Sequence, residues 1–252
     1  MSDTAYLALL LDGPLQSWGF ASRFQRRTTG LYPTKSGVIG LICAAMGLAK
    51  GSKEESGMLP ELSKLKMTTI AIPRQPPGSD GPLPVLRLED YHTVLHTRRA
   101  TGKMNEDAVV TRRQYLLDAR FGLILAGERS LLERAKAHLQ DPVWGVWLGR
   151  KSCIPAGPIL RDLFSTEREA LHALIGDRPV DEFTTVTEVG DFTKGTDSIS
   201  DQPVSFGDGE SSGPDKRRFA MRRTKVAPGR AVENPKSRIY AFSETSLRKS
   251  GP

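Results

Sequence analysis

An unbroken apolar run, Ala5 to Leu11, lies near the start of the chain. So uniformly apolar a segment is stable as a strand only where both of its faces are covered, which makes it the centre of a sheet. The chain leaves it through Gly13-Pro14-Leu15-Gln16-Ser17-Trp18-Gly19 and an arginine-bearing loop. It then reaches Tyr32-Pro33-Thr34-Lys35-Ser36-Gly37, where Pro33 with Thr34 or Ser36 marks a helix start. Val38, Ile39, Leu41, Ile42, Ala45 and Met46 give that helix a broad apolar face, which Gly47 weakens and Gly51 ends.

The remaining segments continue the pattern. Leu65 to Pro73 reads as a strand, and the Pro/Gly-rich residues 74–82 read as a loop. Val85 to Leu95 is extended, Arg98 to Arg113 is basic and projects from the body, and Tyr115 to Leu125 is strand-like. Ser130-x-x-Glu133 has capping-box spacing and opens a helix carrying Leu131, Leu132, Ala135 and Leu139, stopped by Pro142. Val143 to Leu148 is the expected fourth strand. The order is βαββαβ: an α+β, ferredoxin-like fold of the kind RNA-recognition motifs use, with an arm in place of the central hairpin. Residues 1–150 are expected to form this body, with a β-hairpin thumb at about residues 90–113. Residues 151–252 are expected to form an extension with a short helix capped by Thr166 and Glu169, a flexible loop over 207–213, and a basic tail.

The formal net charge of +7 and pI near 9.5 suit an acidic partner. Residues 181–210 are acidic, whereas from Lys216 onward basic residues dominate, either facing nucleic acid or forming a solvated tail. Cys43 and Cys153 are too few for a disulfide framework or zinc cluster. The residues 1–4 carry no basic leader, and no apolar run is long enough to span a bilayer. A soluble, cytoplasmic protein without membrane contact or cofactor is expected.

Several residues are candidates for binding single-stranded nucleic acid. Gln16 and Trp18 either meet nucleotides or cover the core under their loop. Arg23, Arg26 and Arg27 crowd one loop and suit phosphate. Lys35 and Ser36 lie at a helix N-terminus, where free N–H groups favour an anion, while Thr34 or Ser36 caps. Lys35-Ser36 is not a P-loop, because Thr34 and Thr29 stand where that motif needs glycine. His92 and His96 are spaced like helical metal ligands, but in an extended segment the rings separate, so no metal site is expected. Arg112, Arg113 and the turn Gly149-Arg150-Lys151 offer further phosphate contacts, the turn reading alternatively as an ordinary basic turn. The arm residues Leu95, His96, Arg98, Arg99 and Lys103 suit a partner surface.

Five ordered blocks carry a resemblance: Leu11 to Gly19, Pro33 to Gly37, Asp90 to Leu95, Arg113 to Ala119 and Leu148 to Cys153. With a looser match through Asp201-Gln202-Pro203 and Arg217 to Arg223, they closely resemble the CasD family, the type I-E CRISPR backbone subunits of Cascade. The resemblance implies a RAMP-type body gripping the 5′ handle of the CRISPR RNA in antiviral defence. It implies a thumb meeting the neighbouring backbone subunit, a large subunit alongside, and target DNA reached through the complex. His92 then lies at the base of the thumb. A separate endoribonuclease cuts RNA in this branch, so the subunit is read as a binder rather than an enzyme. The alternative is a metal-independent endoribonuclease of the kind found in another subtype, using Tyr32, Lys35 and His92 if these converge.

Overall fold

The computed structural model describes residues 3–19, 25–75, 83–98, 102–105, 107–191, 193–207 and 217–230. Strand β1 (Thr4–Asp12) is central, as its apolar run requires, with Ala5, Leu7, Ala8, Leu9 and Leu11 fully buried. It pairs antiparallel with β7 (Arg120–Glu128) on one side and β8 (Leu160–Phe164) on the other. Beyond β7 lies β4 (Lys66–Ala71). The four strands stand in the order β4-β7-β1-β8, the ferredoxin-like arrangement.

Two crossovers sit on one face of this sheet. The first carries α1 (Lys35–Ala45), capped by the Thr34 hydroxyl, which accepts from Gly37 N at 3.3 Å, and α2 (Lys53–Lys64). The second carries α3 (Arg129–Gln140), whose Leu131, Leu132, Ala135 and Leu139 are buried. These helices and the sheet enclose the larger core, built around Leu7, Leu9, Ile39, Ile42, Leu123 and Leu132. On the opposite face α4 (Glu167–Ile175) covers Ala8, Leu10, Ile70 and Ile124. Its capping box is formed by Thr166 and Glu169, and it ends at Gly176.

Residues 151–230 are not an appendage. After β8 and α4, β9 (Thr184–Glu188) adds to β4, β11 (Arg217–Ala227) adds to β9, and β10 (Asp197–Phe206) closes the edge. The result is one seven-stranded sheet, so the basic residues Arg217 to Arg223 belong to a strand. Most of the expected 207–213 loop and the tail beyond 230 lie outside the described residues. No helix among the described residues is long and apolar enough to cross a membrane.

Three local expectations are corrected. Val143 to Leu148 is not a strand: the amides of Val143 and Trp144 donate to Ala45 O (2.9 Å) and Ala44 O (3.3 Å) at the C-terminal end of α1 rather than to a neighbouring strand. The fourth strand is β8 instead. Ser130 and Glu133 form no capping box, because β7 runs directly into α3 and Glu128 is the N-cap. Ser130 Oγ donates to Glu128 Oε1 at 2.6 Å. The expected strand from Tyr115 to Leu125 breaks at Asp118, where φ is +48°, into β7 and the last strand of a separate hairpin.

That hairpin is the projecting arm. Strand β5 (Leu86–Val94) pairs with β6 (Val109–Leu117) over nine residues, and an isolated bridge joins Arg98 to Met104 nearer the tip. At the base, β2 (Leu15–Gln16) and β3 (Arg26–Arg27) add to β6, making a second, four-stranded sheet.

Candidate nucleic-acid interface

Residues from the loop after β1 divide into those that build the platform and those that stand on it. Gln16 is fully buried; its Nε2 donates to Leu11 O (3.0 Å) and Ala119 O (2.7 Å), and its Oε1 accepts from Trp18 Nε1 (3.0 Å). Trp18, 1% exposed, lies on Gly37 of α1, where a Cβ would come within 3.0 Å of the indole. Every polar atom of the Gln16 side chain, and the indole N–H of Trp18, therefore bonds within the protein, and neither side chain can meet a nucleotide. The reading of Trp18 as a core cover holds, and the stacking reading is corrected.

Lys35 is corrected more sharply. Its Nζ, with no exposed surface, donates to both carboxylate oxygens of Glu188 at 3.0 and 2.9 Å. Its backbone N–H donates to Asp201 Oδ2 at 2.8 Å, and Arg222 grips that carboxylate through Nε (2.8 Å) and Nη2 (2.6 Å). The helix N-terminus does hold an anion, as its dipole favours, but the anion is Asp201. Burial pushes the Lys35 ammonium down, with Glu188 pulling the other way. Ser36, half-buried, is the second residue of the helix, and Thr34 provides the cap.

The turn at residues 149–151 is also architectural in part. Gly149 has φ +102° and packs so closely on Ser17 that a Cβ would overlap the Ser17 carbonyl. Arg150 lies over the Tyr115 ring at 4.6 Å and donates to Gln114 O (2.8 Å) and Arg27 O (2.9 Å), tying β6 to β3. Its guanidinium orders the base of the hairpin, which corrects its reading as a free phosphate clamp. Lys151 is exposed, its ammonium 5.7 Å from the Trp147 ring.

What the fold does bring together is a row across three strands. Arg26 on β3 is the register partner of Arg112 on β6, and Arg112 that of Tyr91 on β5. Cross-strand partners share a face, so a phenol and two guanidiniums stand side by side. Gln25 and Val110 complete this groove. Tyr91 is 65% exposed, an aromatic with no core to cover. Glu89 lies nearby, 3.9 Å from Arg112 and 3.3 Å from Gln114 Nε2. The next row joins Arg27, Arg113 and Asp90, and lies toward a second groove on the other face, lined by Leu88, His92, Tyr115 and Ser152. Arg113 Nε donates to Thr111 Oγ1 at 3.0 Å, and His92 Nδ1 is 3.8 Å from Asp90.

Tyr91 is the site residue that sequence reasoning missed. Its signal was an aromatic at an outward position of a polar strand, Glu89-Asp90-Tyr91-His92-Thr93. Toward the tip, Leu95, His96, Arg98 and Lys103 are exposed together with Met104, and His96 takes a left-handed turn conformation at φ +54°. Arg23 and Arg99 lie outside the described residues. Among the described residues, no group of three or more His, Cys, Asp or Glu side chains is placed to hold a metal ion.

Comparison with known proteins gives this geometry a context. Residues 6–225 match the family model described as CRISPR-associated protein (Cas_Cas5). The Cascade subunit CasD of Escherichia coli (strain K12) is 33% identical over 165 residues, 64% of this chain and 70% of that protein. A chain of a solved CRISPR RNA-guided surveillance complex superposes with a TM-score of 0.66 at 26% identity, covering 89% of this chain and 90% of that one. A Cas protein of known crystal structure gives 0.58 at 31% identity, covering 91% and 98%. A family match over so much of the length, with the ferredoxin-like strand order and the inserted hairpin, shows that the chain belongs to the Cas5 family of CRISPR-associated proteins.

Proposed function

We propose that this chain is an RNA-binding subunit of a Cascade-type CRISPR surveillance complex, holding the 5′ handle of the CRISPR RNA at the base of its hairpin without cutting it. The observation that carries the reading is the row Tyr91–Arg112–Arg26. An exposed ring offers a base a stacking surface, and guanidiniums beside it meet the flanking phosphates. The names of the relatives, a Cascade subunit and an RNA-guided surveillance complex, supply the RNA class.

The hairpin tip, with exposed Leu95 and Met104 beside Arg98 and Lys103, suits the neighbouring backbone subunit. The large subunit would lie alongside, target DNA would be reached through the complex, and the cytoplasm would be the place of action. A binder rather than a nuclease is favoured by the positions of Tyr32, Lys35 and His92. Tyr32 packs on Phe121 in the body, Lys35 is sequestered by Glu188, and His92 stands on the hairpin. General acid–base cleavage needs such groups around one phosphate.

Anisotropy of labelled handle RNA across a salt series tests the reading. Tyr91→Ala should weaken binding by about 1–3 kcal/mol. Arg26→Ala and Arg112→Ala should each lower the salt slope by about 0.7. Wild-type affinity and slope in all three variants would overturn it.

A further inference from the structure

The hairpin face that carries Tyr91, Arg112 and Arg26 holds one residue whose charge runs against its neighbours. Glu89 is two positions from Tyr91 on β5, so it projects from the same face, about 7 Å along the strand. Its cross-strand partner is Gln114, itself two positions from Arg112 on β6. Among the described residues on this face of β5, β6 and β3, Glu89 is the one carboxylate. Its side chain is 42% exposed.

A carboxylate beside a phosphate track repels the backbone that the adjacent guanidiniums attract. Its partners within the protein satisfy it poorly. Arg112 Nη1 lies 3.9 Å from Oε1, beyond hydrogen-bond distance, and an exposed ion pair of that geometry adds little stability. Gln114 Nε2 donates to Oε2 at 3.3 Å, a long bond that nevertheless fixes the direction of the carboxylate. Oε1 therefore keeps its acceptor positions for a donor from outside.

We infer that Glu89 is a specificity-determining residue: it reads the Watson–Crick edge of the base stacked on Tyr91 and selects a base with an amino group on that edge, against uracil. The inference rests on the reading of the row Tyr91–Arg112–Arg26 as an RNA contact. A base laid on the Tyr91 ring, with its phosphates at Arg112 and Arg26, can direct that edge along β5 toward residue 89. There the amino group of cytosine or adenine donates to the carboxylate, whereas uracil brings its O4 acceptor to the same place and is repelled. A carboxylate is tolerated in a cationic row because it rejects the wrong base as well as holding the right one.

The test measures the anisotropy of labelled oligocytidylate and oligouridylate, which offer Tyr91 the same kind of ring and differ in the group at position 4, across a salt series. The full chain should bind oligocytidylate about tenfold more tightly, the ratio that one charge-assisted hydrogen bond supplies. Glu89→Gln, whose amide both donates and accepts, should bring the ratio close to one by improving oligouridylate binding. The salt slope should stay unchanged, because no phosphate contact is lost. With the unmodified chain, an oligomer of N4,N4-dimethylcytidine, which keeps the ring but has no donor on that nitrogen, should bind like oligouridylate. That readout needs no variant to fold. The inference is overturned if the full chain binds the two oligomers equally, or if the dimethyl oligomer binds as well as oligocytidylate. It is also overturned if Glu89→Gln changes both affinities by the same factor, which would make Glu89 only a repulsive or orienting neighbour of Arg112. The row survives each of these outcomes provided that Tyr91→Ala weakens both oligomers. If Tyr91→Ala and Arg112→Ala leave binding unchanged, the row fails and the stacked pose argued here fails with it.

Discussion

Lys35 and Glu188 form an ion pair in which one fully buried ammonium serves both oxygens of a half-buried carboxylate, at 3.0 and 2.9 Å, joining the N-terminus of α1 to β9. Asp201 and Arg222 extend it to β10 and β11, so these three strands are fastened to the body by charge as well as by their strand ladder. A helix start whose sequence suits phosphate is thus filled from within.

Removing Lys35 leaves the half-buried Glu188 carboxylate with only the more distant Arg222 Nη1 at 3.9 Å as a charged partner. Lys35→Met should cost about 3 kcal/mol or more, while the double variant Lys35→Met with Glu188→Leu should recover much of that loss. Denaturant unfolding of the two variants checks this. A single variant as stable as the wild type would show the pair to be dispensable.

Gly149→Ala should destabilise the chain by about 3 kcal/mol or more, because it combines a left-handed backbone with overlap on the Ser17 carbonyl. Gly157, where an added Cβ meets nothing within 4 Å, is the control. Gly157→Ala should stay within about 0.5 kcal/mol of the parent in the same melting experiment.

Burial pushes the Cys43 thiol up to about 12 from 9.0. Between these values the unfolded chain has lost a proton that the folded chain keeps, so stability falls as pH rises, by up to about 1.4 kcal/mol per pH unit. Tyr32, raised by burial and then by Asp197, adds a fall of the same sign above 10. Cys43→Ala should flatten the first part of this decline. Urea midpoints measured from below pH 9 upward would show it, and parallel curves for the two proteins would refute it.

Precursor CRISPR RNA incubated with the purified chain in chelator should remain intact, because Tyr32, Lys35 and His92 serve three different environments. Cleavage that disappears in His92→Ala would establish the endoribonuclease instead.

The fold was legible where a segment's pattern had one satisfactory environment. Ala5 to Leu11 had to be central, Thr166-x-x-Glu169 had to open a helix, and the polar excursion after Leu95 had to leave the body. Helix α2 was missed although Ser52 caps it, accepting from Glu55 N at 3.1 Å, because Gly57 and Pro60 disguise its interior. The candidate site was less legible, since burial separates cations that look alike in sequence. Arg26 and Arg112 stand exposed, while Lys35 and Arg222 are enclosed with carboxylates distant along the chain.

The sequence by itself determined the central strand, the starts of α1 and α4 and the cationic character, because hydrophobic period, caps and net charge are local properties. Tertiary structure alone decided that β9 to β11 complete the main sheet, that Asp201 takes the anion position at α1, and that Tyr91, Arg112 and Arg26 form one row. Each of these depends on strand register and on desolvated charges finding partners far away in the chain, and no local pattern encodes either.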